Sequence, residues 1–186
     1  MVVIRVFFIF SFFLACLSLP LSHVIRHKMD KTSIKRVERA VELFSLGYNC
    51  SQSVSAAWAD AYGFTEEQML KLSASFGGGI GRMRMTCGAA CGMFILAGLE
   101  TGSAIEHDAK GKERNYALVQ CLANEFKRRN GSLICAELLS GKGITPTMES
   151  KPEQRTEAYY KKRPCAMMVR VAAEIWLDYL NGKLNQ

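Results

Sequence analysis

Apolar residues at helical spacing along the body, capping signals at segment starts and the lack of any convincing alternating strand pattern predict an all-α fold. The expected architecture is a compact bundle of about six to seven helices, preceded by a hydrophobic N-terminal segment. The chain has 186 residues, 49% of them apolar, enough for one domain with its own core and too apolar for a disordered chain. No internal repeat of solenoid length is present.

Residues 6–25 carry no charge and are rich in Phe and Leu, a length that suits a membrane span or a signal core. Only Arg5 precedes this stretch, whereas Arg26, Lys28, Lys31, Lys35, Arg36 and Arg39 follow it. By the positive-inside rule the downstream side stays in the cytoplasm. Leu14-Ala15-Cys16 is a poor lipoprotein cleavage site, and Met29-Asp30-Lys31 opens directly into an amphipathic helix. We therefore read residues 1–28 as a leader, either a signal or anchor or an upstream extension, and residues 29–186 as the domain. The expected location of the domain is cytoplasmic, or membrane-anchored or exported if the leader is genuine. Any membrane association would run through residues 6–25 alone.

The elements follow in order. Ile34, Val37, Val41, Phe44 and Tyr48 form one helical stripe, ended by Gly47. Asn49-Cys50-Ser51-Gln52 is a capping-box pattern, and Cys50, Val54, Ala57, Trp58 and Ala61 continue as a stripe to Gly63. Thr65-Glu66-Glu67-Gln68 is a second capping box, opening a short helix to about Ser75. Cys87 to Gly102 reads as a buried helix whose small residues permit close packing. Asp108 to Arg129 reads as a long helix with Tyr116, Val119, Leu122 and Phe126 on one side. Leu133 to Leu139 is short, and the stretch from Gly141 to about Gln154 is a surface loop. Pro164 to Asn181 is the last helix, with Met168, Val171, Ala172, Ile175, Trp176 and Tyr179 inward and Gly182 after it.

Charge excludes little. The formal net charge is +7, with runs at Lys127-Arg128-Arg129 and Lys161-Lys162-Arg163. These read as solvated helix ends; no aromatic residues interleave with them as a stacking platform, and no nucleic-acid partner is expected. His107 is the one histidine of the body and reads as a surface residue beside a helix start, so acid–base hydrolysis is weakly supported. The methionines, among them Met83, Met85, Met93, Met167 and Met168, read mostly as core filler.

The informative residues are cysteines. Of seven, Cys16 lies in the leader. Cys50, Cys87, Cys135 and Cys165 each fall at a predicted helix start: Asn49, Thr86 and Ser132 are the expected caps of the first three, and Pro164 precedes the fourth. A helix N-terminus presents unpaired N–H groups and roughly half a positive charge, which lowers a thiol's pKa and favours bound anions. Cys91 and Cys121 read as core packing. Phe76-Gly77-Gly78-Gly79-Ile80-Gly81 lacks the Lys-Ser/Thr ending of a phosphate loop, so its glycines are expected to let backbone approach another element or a cofactor.

Three chemistries suit such thiols. A four-thiolate iron–sulfur site, most simply [2Fe–2S], needs soft anionic ligands. Metal-free thiol–disulfide exchange needs low-pKa thiols, and Cys87 with Cys91 adds a strained i, i+4 pair. A structural zinc site, or buried thiols without a metal in a helical interaction module, is the third. The spacing of the four cysteines matches neither ferredoxin nor zinc-ribbon patterns.

The body also resembles a family of redox-active proteins named for its cysteine signature, C-GCAxxG-C-C. Gly47-Tyr48-Asn49-Cys50-Ser51-Gln52, the loop Phe76–Gly81, Cys87-Gly88-Ala89-Ala90-Cys91-Gly92, Ser132-Leu133-Ile134-Cys135-Ala136-Glu137-Leu138-Leu139 and Cys165 carry the likeness. The core motif reads Cys-Gly-Ala where the signature has Gly-Cys-Ala. The resemblance implies a helical electron carrier or redox sensor and places the four signature cysteines on Cys50, Cys87, Cys135 and Cys165. These are the expected metal ligands, with Gly77, Gly78, Gly79 and Gly81 packing against the cofactor. The implied partner is another redox protein.

Overall fold

The computed structural model describes residues 31–184. The leader therefore lies outside the described residues. Within them the fold is all-α, with eight α-helices: α1 (Lys31–Ser45), α2 (Cys50–Ala56), α3 (Glu66–Ser73), α4 (Gly88–Thr101), α5 (Ala109–Asn130), α6 (Cys135–Ser140), α7 (Glu157–Lys162) and α8 (Cys165–Leu180). Two 3-10 turns, Ala59–Tyr62 and Ala74–Phe76, join them. None of the described helices is long and apolar enough to cross a membrane.

Local chemistry accounts for the boundaries. Both capping boxes form: the Asn49 side chain accepts from Gln52 N at 3.0 Å while Gln52 Oε1 accepts from Asn49 N, and Thr65 and Gln68 do the same. The helix opened by Asn49 is shorter than its stripe suggests. Ser53 and Ser55 turn their hydroxyls back onto the carbonyls of Asn49 and Ser51, an arrangement that loosens a helix, and the chain tightens into a 3-10 turn closed by left-handed Gly63. α7, expected as neither helix nor strand, is capped by Thr156, whose hydroxyl accepts from Tyr159 N.

α2 sits at the centre, packed on α1, α3, α4 and α8, and α5 closes the far side against α4 and α8. Trp58, Trp176, Phe44, Phe126 and Leu122 are fully buried here, each contributing roughly 1.5–3 kcal/mol. Glycines set how closely α4 can lie on α2. A Cβ on Gly92 would stand 2.7 Å from Ser51 O, and one on Gly88 3.3 Å from Cys50 Cβ. At the end of α5, Arg129 bridges Glu125 and, at 2.7 Å, Asp178 of α8, so this basic run is not wholly solvated.

Several expected inward residues point out. The buried line of α5 runs through Leu118, Leu122 and Phe126 at four-residue steps, which turns Tyr116 to solvent. Ile34 lies in the exposed first turn of α1, and Leu99 is partly exposed near the end of α4. Met83, Met85 and Met167 are more than half exposed and are not core filler; the first two lie on a loop, and Met167 faces away from its buried neighbour Met168.

Candidate functional site

Four segments deliver the site. Cys50, Cys135 and Cys165 are the first residues of α2, α6 and α8, and Cys87 is the N-cap of α4. The expected caps differ for two of them. Thr86 gives way to Cys87 itself, and α6 is capped by Ile134 without a side-chain bond. Ser132 instead accepts from Ile134 N and donates to the Glu137 carboxylate. An isolated antiparallel bridge between Thr86 and Ile134 pins two of the helix starts side by side: Cys87 N donates to Leu133 O at 2.8 Å, and Cys135 N to Met85 O at 2.6 Å.

All four cysteines line one cavity of about 310 Å³. Gly77, Gly78, Gly79 and Gly81 line it too, whereas Cys91 and Cys121 do not. The close approach made by the glycine loop is to other elements of the protein. A Cβ on Gly77 would collide with the Asn49 side chain, and one on Gly79 would lie 2.7 Å from Cys135 Cβ. Asn49 Nδ2 donates to Ala74 O at 2.8 Å, fastening the loop to the cap of α2. His107 is exposed and lies outside the cavity.

The thiols differ sharply in acidity. Helix starts were expected to lower all four pKa values, but burial dominates at two. Desolvation pushes Cys87 up to about 12, and it also raises Cys135, only partly offset by hydrogen bonding from the Arg84 guanidinium. Cys91, away from the cavity, is pushed up to about 11 by burial. Cys50 and Cys165 behave as a pair. The Cys50 thiol hydrogen-bonds to the Cys165 sulfur, which holds the proton on Cys50 and raises its pKa well above the usual range. The same hydrogen bond, with the positive charges of Arg163 and Arg155, brings Cys165 down to about 7 against the cost of burial. Cys165 is thus the thiolate of the cavity and Cys50 its proton-bearing neighbour.

Arginine shapes the walls. Arg82, Arg84, Arg155 and Arg163 line the cavity against a single carboxylate, Glu153. Arg163, 8% exposed in its side chain, pairs with Glu153 and lies 4.9 Å from the centre of the Tyr159 ring. Arg155 stacks over Phe44 at 4.6 Å. Arg163, expected at a solvated helix end with Lys161 and Lys162, is instead buried in the cavity wall, and sequence patterning gave no sign of Arg82, Arg84 and Arg155, which come from a loop and a segment start distant in sequence.

Among the described residues, no group of three or more His, Cys, Asp or Glu side chains is arranged to hold a metal ion. The four thiols share one cavity.

No curated protein and no solved structure matches this chain. A family model described as "Putative redox-active protein (C_GCAxxG_C_C)" matches residues 48–179, a span that includes all four cavity cysteines and the glycine loop. The chain belongs to this C_GCAxxG_C_C family.

Proposed function

We propose that the protein carries out thiol–disulfide exchange through Cys165 and Cys50. The observation that carries this reading is that the Cys50 and Cys165 side chains line one cavity and interact there, with Arg163 in the same wall. The Cys165 thiolate attacks one sulfur of an incoming disulfide. That S–S bond breaks, a new one forms to Cys165, and the first thiolate leaves. Cys50 then gives up its proton to the departing group and attacks Cys165, releasing the second group as a thiolate that takes its proton from water. Two electrons pass to the substrate, and a Cys50–Cys165 disulfide remains.

The full-length chain treated with a small disulfide should lose two hydrogens by intact mass, with Cys50 and Cys165 joined on peptide mapping. Cys165→Ser should abolish the reaction, and Cys50→Ser should stop it at a mixed disulfide on Cys165. Pairing confined to other cysteines would overturn the assignment.

A second reading keeps the four-cysteine centre, favoured by the sharing of one arginine-walled cavity by all four sulfurs. A [2Fe–2S] cluster would supply one-electron transfer there, and zinc a structural link. Iron and acid-labile sulfide in equal amounts in protein purified without oxygen, lost on replacing any of the four by Ser but kept in Cys121→Ser, would put this reading first. Metal-free protein would leave the thiol pair.

A further inference from the structure

We infer that the cavity recognises a carboxylate-bearing small molecule, gripped by Arg84 with Arg82 and Arg163, and that this molecule is the disulfide Cys165 attacks. The second half rests on the thiol-exchange reading; the first stands on the arginines alone.

Arg84 carries the argument. It is 5% exposed, its Nε donates to Thr147 O at 2.8 Å and its guanidinium hydrogen-bonds the Cys135 sulfur, yet its buried Nη2 has no hydrogen-bond partner. A buried guanidinium with an unmet donor is costly, and the group that best satisfies it is a planar anion accepting along the fork. Its neighbours add positive charge that no carboxylate offsets. Arg82 donates only to Glu149 O and, at 3.4 Å, to Thr147 Oγ1. Arg155 donates to Phe44 O and otherwise meets rings. Among the described residues neither these two nor Arg84 has a carboxylate partner, and Glu153 is committed to Arg163. Four cationic side chains therefore face one carboxylate and one thiolate around a cavity of about 310 Å³, the size of a small organic molecule.

The backbone is strained to achieve this. Gly78, Gly79, Ile80, Gly81 and Arg82 take positive φ in succession, and Arg84 follows at φ 61°. Each non-glycine residue so held costs about 1–2 kcal/mol. This left-handed turn brings Arg82 and Arg84 to one wall, where both hold the 147–149 segment by its carbonyls. Strain of this kind collects at functional sites.

The test uses three probes on the full-length chain. 3,3′-Dithiodipropionate is a dianionic disulfide, bis(2-hydroxyethyl) disulfide is a neutral one, and suberate is an unreactive dicarboxylate of the first compound's length. A free thiolate repels the dianion, so an ordinary thiol reacts faster with the neutral reagent. Here the dianion should oxidise the Cys50–Cys165 pair about tenfold faster or more, an advantage that falls as salt rises. Suberate should bind by calorimetry and slow the dianion's reaction. Arg84→Gln should weaken suberate binding about tenfold, and Arg84→Lys, which keeps charge but loses the fork, should recover part of it. Absence of suberate binding to the wild-type chain, with the neutral disulfide reacting at least as fast, overturns the inference and leaves thiol exchange standing. Suberate binding with neither disulfide reduced overturns the assignment of a disulfide substrate and the exchange reading with it. Because the wild-type comparison decides both, a poorly folding Arg84 variant does not blunt the test.

Discussion

Cys87 and Cys165 stand at helix starts on one cavity wall yet titrate in opposite directions, because a thiolate needs specific partners more than it needs a helix dipole. Cys87 is buried without a cationic side chain to offset desolvation, and it stays protonated throughout the physiological range. Cys165 gains a hydrogen bond from Cys50 and the fields of Arg163 and Arg155. Its folded pKa is lowered, so it is ionised above about 7, whereas an unperturbed cysteine ionises near about 8.5. Alkylation of Cys165 by iodoacetamide should therefore rise with a midpoint near pH 7. Cys50→Ala removes the largest stabilising contact and should move that midpoint upward, towards the ordinary cysteine value. Arg163→Gln should move it the same way by a smaller amount. An unchanged midpoint in Cys50→Ala would mean that the two sulfurs do not share a proton.

The crossing of α4 on α2 fixes the spacing of the cavity walls, and glycine decides it at one position but not at another on the same helix. Gly92→Ala puts a methyl 2.7 Å from Ser51 O and 2.9 Å from Val54 Cβ, where neither can yield cheaply. It should cost about 1–3 kcal/mol in urea unfolding. Gly98→Ala meets nothing within 4 Å and sits in the helical stretch of α4, so it should stabilise by about 0.5–1 kcal/mol. If both variants destabilise equally, the close contact is not what requires Gly92. The same locality explains what the sequence disclosed. The boxes at Asn49/Gln52 and Thr65/Gln68 are legible because every bond in them spans three residues. The thiols were legible as helix starts for the same reason. The Thr86–Ile134 bridge and the holds of Arg82 on Glu149 and of Arg84 on Thr147 join segments tens of residues apart, and no periodicity records them. α7 escaped notice because six residues give too short a stripe to reveal its anchors, Tyr159 and Tyr160, which pack on the core beside Phe44.

For the whole molecule, redox state and stability become one quantity if Cys50 and Cys165 are the exchanging pair. The bond would tie the start of α2 to the start of α8, two helices already packed together in the core, and would close a loop of about 115 residues. On chain-entropy grounds such a cross-link stabilises by up to about 4.7 kcal/mol, less any strain in drawing the sulfurs together. Since about 1 kcal/mol moves the melting temperature of a chain this size by about 2–4 °C, the oxidised protein should melt roughly 10 °C above the reduced form. Thermodynamic closure gives the converse: whatever folding gains from the disulfide, the disulfide gains from folding, so the potential of the pair falls by about 30 mV for each 1.4 kcal/mol. Melting curves of the two forms, with a glutathione titration of the same pair, measure one free energy by two routes. Oxidation that lowers the melting temperature would show a cavity built to keep the pair reduced, and the titration should then give a correspondingly more oxidising potential.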